Sequence, residues 1–253
     1  MNWRGFYTLF AKEVWRFMKV AVQTVLTPVV TAVLYLVVFA HVLEEHVQVY
    51  PGVSYTAFLI PGLIMMSVIQ NAFANSSSSL IQSKMNGNIV FVLLAPISSL
   101  EFYAAFVLAA IARGVMVGVV LYVIALGFAD LPVQHVGILL AFAVLGSGLL
   151  GALGLIGGIW ADKYDQLAAY QNFLILPLSF LSGVFYSLYS LSPFWQWVSR
   201  FNPFFYMIDG VRYGFLGVSD VPPLQSLWVI SLFFIVISLI ALGLIQRGYK
   251  LRR

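Results

Sequence analysis

The sequence predicts an all-α fold: a polytopic membrane protein with six transmembrane helices, an N-terminal amphipathic interface helix and a re-entrant outer loop between spans five and six. Three observations carry this reading. Apolar stretches occupy residues 20–42, 55–77, 100–128, 136–160, 167–186 and 224–245. Each is at least about 20 residues long, and about 20 residues of α-helix at ~1.5 Å per residue cross a ~30 Å hydrocarbon core. The composition is 62% hydrophobic and only 9% charged, with the charge falling almost wholly between the stretches. Spans and short connections nearly consume the 253 residues, so 1–253 is expected to be a single membrane domain without room for a soluble catalytic domain.

Charge placement orients the chain. With the N-terminus in the cytoplasm, the inner side carries Arg4, Lys12, Arg16, Lys19, Lys84, Arg113, Lys163, Arg247, Lys250, Arg252 and Arg253, and only Arg200 and Arg212 fall outside. The outer side holds Glu44, Glu45, Asp130, Asp209 and Asp220. Lys/Arg bias toward the cytoplasm is the usual determinant of orientation, so both termini are expected inside. The net charge of +4 is therefore read as topology, not as a sign of nucleic acid or another acidic partner.

Residues 1–19 show two helical stripes. Trp3, Tyr7, Phe10, Val14 and Phe17 recur every three or four positions, and Arg4, Thr8, Lys12 and Arg16 recur every four. Trp3 and Phe10 with Arg16 mark an amphipathic helix suited to the inner membrane interface. The first span, 20–42, is longer than the apolar core of a signal peptide and no small-x-small site follows it, so it is expected to stay attached.

Pro28, Pro61 and Pro177 lie inside spans one, two and five and are expected to kink them. Span two ends in a polar stripe of Gln70, Asn71, Asn75, Ser78 and Ser79, which reads either as interfacial enrichment or as a face lining a cavity. The loop 81–99 holds the apolar run 89–95, too short to span, and reads as a small helix ended by Pro96. Arg113 falls inside span three, where a mid-bilayer charge costs at least ~2.5–3.5 kcal/mol. Residues 101–112 are therefore placed at the inner interface, with Arg113 snorkelling. Span four carries Ser147, Gly151, Gly154 and Gly158 in one row of small residues, a helix-packing face. Asp162 to Asp165 makes a tight inner turn. The outer connection 187–223 is rich in aromatics, and Ser192-Pro193 and Asn202-Pro203 can each start a short helix dipping back into the outer leaflet.

Catalytic and cofactor chemistry finds no footing. There is no cysteine, no G-x-x-x-x-G-K-[ST] phosphate loop and no H-E-x-x-H pattern. His41, His46 and His135 are far apart. Gly146-Ser147-Gly148 has no histidine and carboxylate at its depth to complete a triad. Acidic residues fall outside the apolar stretches or at their ends, whereas ion-coupled transporters usually hold them within spans.

This layout, with Pro61-Gly62-Leu63-Ile64-Met65-Met66, Leu94-Ala95-Pro96-Ile97-Ser98, and Asn202-Pro203-Phe204-Phe205-Tyr206 followed by Arg212-Tyr213, resembles the type-2 ABC transporter permease family. The run from Arg212 to Gly217 is similar to a bacterial inner-membrane subgroup. The resemblance implies a non-catalytic exporter subunit in the bacterial cytoplasmic membrane, paired as a homodimer and docking two copies of a separate ABC ATP-binding subunit that holds ATP and magnesium. This chain would then hold no cofactor or metal, and its surroundings would be lipid.

It further implies that ATPase coupling falls on Lys84, Asn86, Gly87, Ile89, Val90 and Leu93, with Asp162 and Asp165 in a minor contact. Asn71, Asn75, Phe173, Phe180 and Tyr186 would line the translocation path. Asn202, Pro203, Tyr206 and Arg212 would form the outer gate. Relatives often carry acidic residues before the Ala-Pro pair; here Ile89-Val90-Phe91-Val92 is apolar, so docking is expected to rest on packing. A secondary transporter or flippase needing no ATPase is the alternative.

Overall fold

A computed structural model describes residues 2–43 and 49–251, and the side chains of residues 40–43 are not described. Of the residues used for orientation, Glu44, Glu45, Arg252 and Arg253 lie outside the described residues, as does His46. The described chain is all-helical: α1 (Trp3–Met18), α2 (Ala21–Leu43), α3 (Tyr55–Met85), α4 (Ile89–Leu94), α5 (Ser99–Ala125), α6 (Val136–Trp160), α7 (Tyr164–Tyr170), α8 (Leu176–Phe180), α9 (Pro193–Arg200), α10 (Pro203–Leu216) and α11 (Pro223–Gln246). Among the described residues, α2, α3, α5, α6 and α11 are long and apolar enough to cross a membrane.

The helix α3 is the centre of the fold. Ser54 caps its start by accepting from the Ala57 N–H at 3.2 Å. It runs unbroken through Pro61 to Met85, and most of its residues are buried. At ~1.5 Å per residue its 31 residues extend about 46 Å, beyond a ~30 Å core. The polar stripe expected to close span two is thus continued helix, with Asn75, Ser76, Ser77 and Ser79 buried inside the protein.

Most of the α3 surface is covered by α6 and then by α5. The row of small residues on α6 makes this possible. A Cβ on Gly154 would lie 2.4 Å from the Phe73 carbonyl oxygen, one on Gly151 2.8 Å from the Ala110 Cβ, and one on Gly158 3.0 Å from the Leu80 Cβ. Apolar side chains gain little by leaving lipid for one another, so close van der Waals approach has to supply the association. On the outer half of α6, α10 packs with a bare Gly210 against the Phe142 ring.

The fifth apolar stretch differs from its expected bounds of 167–186. The helix begins at Tyr164, passes through a π-helical turn at Gln171–Ile175, and ends at Phe180. Pro177 explains the interruption, since it lacks an N–H and its ring displaces the preceding turn. The pieces of 7, 5 and 5 residues reach only about 25 Å together at ~1.5 Å per residue.

The helix α1 is fastened to the start of α5. Asn2 caps α1 by accepting from the Gly5 N–H at 3.1 Å, and its side-chain amide donates to the Pro96 carbonyl at 3.1 Å. The Asn2 backbone N–H donates to Glu101, which also closes a capping box with Ser98 at the head of α5. Leu9 is buried with α5 residues in an inner apolar cluster and Phe17 is buried near the end of α1, while Trp3, Tyr7 and Trp15 face outward.

The glycine row yields a test. Gly154→Val is expected to destabilise the protein by about 1–3 kcal/mol, the typical effect of overpacking a tight contact, and to lower the thermal midpoint in detergent. Gly137→Ala, where a Cβ meets nothing within 4 Å, should leave the midpoint in place; equal midpoints for the two variants would remove the close approach as the reason for the row.

Candidate translocation and coupling sites

At the inner end, Lys84 binds the end of α6. Its ammonium donates to the carbonyls of Gly158 at 3.3 Å, Ile159 at 2.9 Å and Ala161 at 2.6 Å, and lies 3.7 Å from Asp162. The last carbonyls of a helix have no intrahelical donor, and a cation there is favourable. Asp162 also pairs with Lys250 at 2.6 Å. Of the residues expected to meet an ATPase, Lys84 and Asp162 are therefore engaged within the chain, while Asp165 is exposed. Asn86 closes α3, and Gly87 turns the chain with φ +73°, a conformation that favours glycine.

The short α4 that follows has two faces. Ile89 is buried and Leu93 packs against the inner cluster. Val90, Phe91 and Leu94 face outward, Phe91 and Leu94 with 75% and 78% of their surface exposed. The sequence placed Val90 and Leu93 together in the coupling set. The structure separates them, and it adds Phe91 and Leu94, which only the three-dimensional register of a six-residue helix could single out.

A polar cavity of about 410 Å³ opens between α2, α3 and α5. Gln23, Thr24 and Thr27 line it from α2, Gln70 and Asn71 from α3, and Arg113 from α5. Arg16 reaches it from α1. The Arg16 guanidinium donates at 2.8 Å to both the backbone carbonyl and the side-chain oxygen of Asn75, and pairs at 3.2 Å with Glu13, which is fully buried and also held by Lys12 at 3.1 Å. Arg16 thus turns into the bundle, whereas the sequence placed it on a face toward the membrane interface.

Arg113 departs from the expected snorkelling position. It lies near the middle of the 27-residue α5 and donates to Asn71 Oδ1 at 3.1 Å. The next residue, Gly114, packs against Ser147, itself near the middle of the 25-residue α6. Arg113 is therefore deep in the bundle, and the cavity brings polar surface to it.

The other expected path residues lie elsewhere. Phe173 and Phe180 sit on the outward face of the broken fifth segment, Phe173 the more exposed, and Tyr186 is half-buried beyond its end. Neither the phenylalanines nor Tyr186 line this cavity.

The residues expected at an outer gate form an internal clasp. Asn202 caps α10 by accepting from the Phe204 N–H at 3.0 Å and donates to the Leu178 carbonyl at 2.8 Å. Pro203 occupies the first turn of α10, and the Tyr206 hydroxyl donates to the Arg200 carbonyl at 2.9 Å. Arg212 is fully buried, donates to the Gly183 carbonyl at 2.8 Å, and lies 3.9 Å over the Phe58 ring. Asp209, one turn back, accepts the N–H groups of Asp220 and Val221 at 2.8 and 3.0 Å. Asp220 accepts from the Tyr50 hydroxyl, the Ser187 hydroxyl and the Leu188 N–H. Burial first, and the Asp220 carboxylate after it, push the Tyr50 phenol above its ordinary range, so it stays a donor. Residues from four segments are gathered here, and none of their spacings in sequence signals it.

An apolar helical bundle enclosing a polar cavity is the architecture of a membrane transport protein. The chain belongs to the ABC-2 type transporter family, whose model matches residues 4–216. It is similar over its whole length to the inner membrane transport permease YadH of Escherichia coli strain K12, with 41% identity over 252 residues, 100% of this chain and 98% of that protein. Nodulation protein J of Rhizobium leguminosarum bv. trifolii is 29% identical over 205 residues, covering 78% of this chain and 75% of the relative. Its counterpart from bv. viciae is 26% identical over 234 residues, 90% and 89% of the two chains.

If Lys84 closes α6, then Lys84→Met should cost about 1–3 kcal/mol, the penalty for leaving such acceptors without their charged donor. Thermal unfolding checks this; an unchanged midpoint would mean that water satisfies those carbonyls.

Proposed function

We propose that this chain is the permease subunit of an ATP-driven exporter in the bacterial inner membrane. Two copies form the translocation unit, each docking one separately encoded ATP-binding subunit that carries ATP and magnesium. Both termini face the cytoplasm, α1 lies along the inner interface, the broken α7–α8 segment makes the sixth crossing, and α9 and α10 dip into the outer leaflet. Family membership and the likeness to an inner membrane transport permease support this reading. So does the absence of any nucleotide-binding motif in the chain, since the energy has to come from another polypeptide.

The observation that carries it is the outward face of α4. Val90, Phe91 and Leu94 project from a short helix whose other face is anchored in the core, beside the Lys84 junction. An exposed apolar cluster on a rigid mount suits docking through packing. The occupant is the ATP-binding subunit, because the family's transporters need one and this inner face carries no motor.

Phe91→Asp combined with Leu94→Asp is expected to lower recovery of the ATP-binding subunit with the permease about tenfold or more, as loss of a two-residue apolar anchor entails. The thermal midpoint of the permease alone should not move. Reconstituted vesicles of the wild-type pair should export with vanadate-sensitive ATP hydrolysis. Export driven by an ion gradient with no ATP-binding subunit present would sink the proposal and favour a secondary transporter.

A further inference from the structure

The polar cavity is unbalanced in charge. Arg16 and Arg113 both line it, and among the described residues no aspartate or glutamate does. Arg16 is answered by Glu13 and Asn75, but Arg113 meets only the neutral Asn71, and its buried Nε has no hydrogen-bond partner. A guanidinium presents donors alone, in a planar fork that fits carboxylate or phosphate oxygens. An arginine held in the middle of a spanning helix, facing a polar cavity, marks a place where a charge is to be met.

The lining is not polar throughout. Val20, Pro28, Ala32, Leu63 and Met66 line the same space, set among the polar residues of α2 and α3. The volume of about 410 Å³ is that of a small-ligand site. One side of the cavity is formed by α2, which packs on α1, α3 and α5 and sets Tyr35 and Phe39 against Phe185, but leaves about half of its described residues exposed, so an occupant can reach the cavity past α2.

We infer that the cavity between α2, α3 and α5 binds an amphiphile with an anionic headgroup, phosphate or carboxylate, which Arg113 receives while the apolar part of the lining, Pro28, Ala32, Leu63 and Met66, meets the start of its tail. This rests on the transport reading for its role and on geometry alone for the binding. Two sources share the chemistry: an anionic phospholipid of the bilayer, and a transported anionic amphiphile.

The test uses the permease with its ATP-binding subunit in phosphatidylcholine nanodiscs, with dodecyl phosphate as the probe and dodecyl maltoside as a neutral probe with the same tail. Dodecyl phosphate should bind, and Arg113→Gln should weaken it about tenfold or more, as loss of a charge-assisted hydrogen bond entails. Arg113→Lys should restore part of the affinity. Gln70→Glu, which leaves Arg113 in place but adds an acid to the cavity, should weaken it likewise. Thermal midpoints establish that each variant is folded.

If phosphatidylglycerol in the disc competes with the probe and ATP hydrolysis does not respond, the site belongs to a membrane lipid. If the probe stimulates hydrolysis and phosphatidylglycerol does not displace it, the site belongs to cargo. Equal binding of dodecyl phosphate by wild type and both charge variants, or equal binding of the maltoside, overturns the inference. Arg113-dependent binding in a complex that exports without hydrolysing ATP would overturn the ATP-driven reading and leave the site standing.

Discussion

The approach of α6 to α3 is the constraint from which the rest follows. Within lipid, burying apolar side chains does not by itself draw helices together, so backbone proximity has to do it. Gly154 lets α6 come against the Phe73 carbonyl, and Gly151 and Gly158 extend the seam in both directions. With α6 and α5 covering it, α3 has little surface left for lipid. Its serines and asparagines can then be tolerated because they face protein or the polar cavity and not lipid. The seam also fixes the long α3 overhang that carries Lys84 to the end of α6, and hence the mount of α4.

Buried polar groups divide the molecule into two unlike halves. Among the described residues, the outer clasp has no open space: the carboxylates of Asp209 and Asp220 accept backbone N–H groups, and Arg212, whose Nε and Nη1 make no hydrogen bond, is covered by the Phe58 ring, the Gly183 carbonyl and Asp209 at 4.0 Å. Carboxylates satisfied in this way hold their loops in one arrangement, since each displaced loop would leave a buried charge unanswered. The inner half has a satisfied ion pair at Glu13 and Arg16, and next to it an arginine with room around it. The outer end is thus the closed one, and the open polar space lies in the inner half.

Hydropathy alone made most of the helices legible, because a lipid-facing segment must be apolar along its length. The misplaced edges have physical reasons. Span two was cut at 77 because Ser, Asn and Gln read as an exit from the membrane, whereas here they exit into protein. In the fifth stretch Pro177 signals a kink, but hydropathy stays high through Tyr186 and does not register the π turn or that the helix stops at Phe180. Site residues were harder. Arg16 was legible as a polar residue on an amphipathic helix, but its partner Asn75 is 59 positions away. Arg113 looked like a snorkelling residue because a sequence shows no cavity. The clasp joins residues 50, 187, 209, 212 and 220, whose types are unremarkable one by one.

The inner half also connects the outward face of α4 to the cavity. From Leu94 at the end of α4 the chain passes directly to Pro96, whose carbonyl is held by Asn2. Asn2 is tied in turn to Glu101 at the head of α5 and to the first turn of α1. The helix α1 is a single 16-residue rod, and at its far end Arg16 grips Asn75 and reaches Ser78 beside the cavity. A displacement of α4 passes along the short connection 95–98 to the head of α5, and reaches α1 through the exposed Asn2–Pro96 hydrogen bond and the Asn2–Glu101 bond. Either movement shifts one of the two arginines that face the cavity. In the proposed exporter, coupling between the ATP-binding subunit and cargo would then need no change in the seam of α3 and α6; it would need only that the helices around the cavity change their spacing, and with it the field that the inferred anionic headgroup would meet.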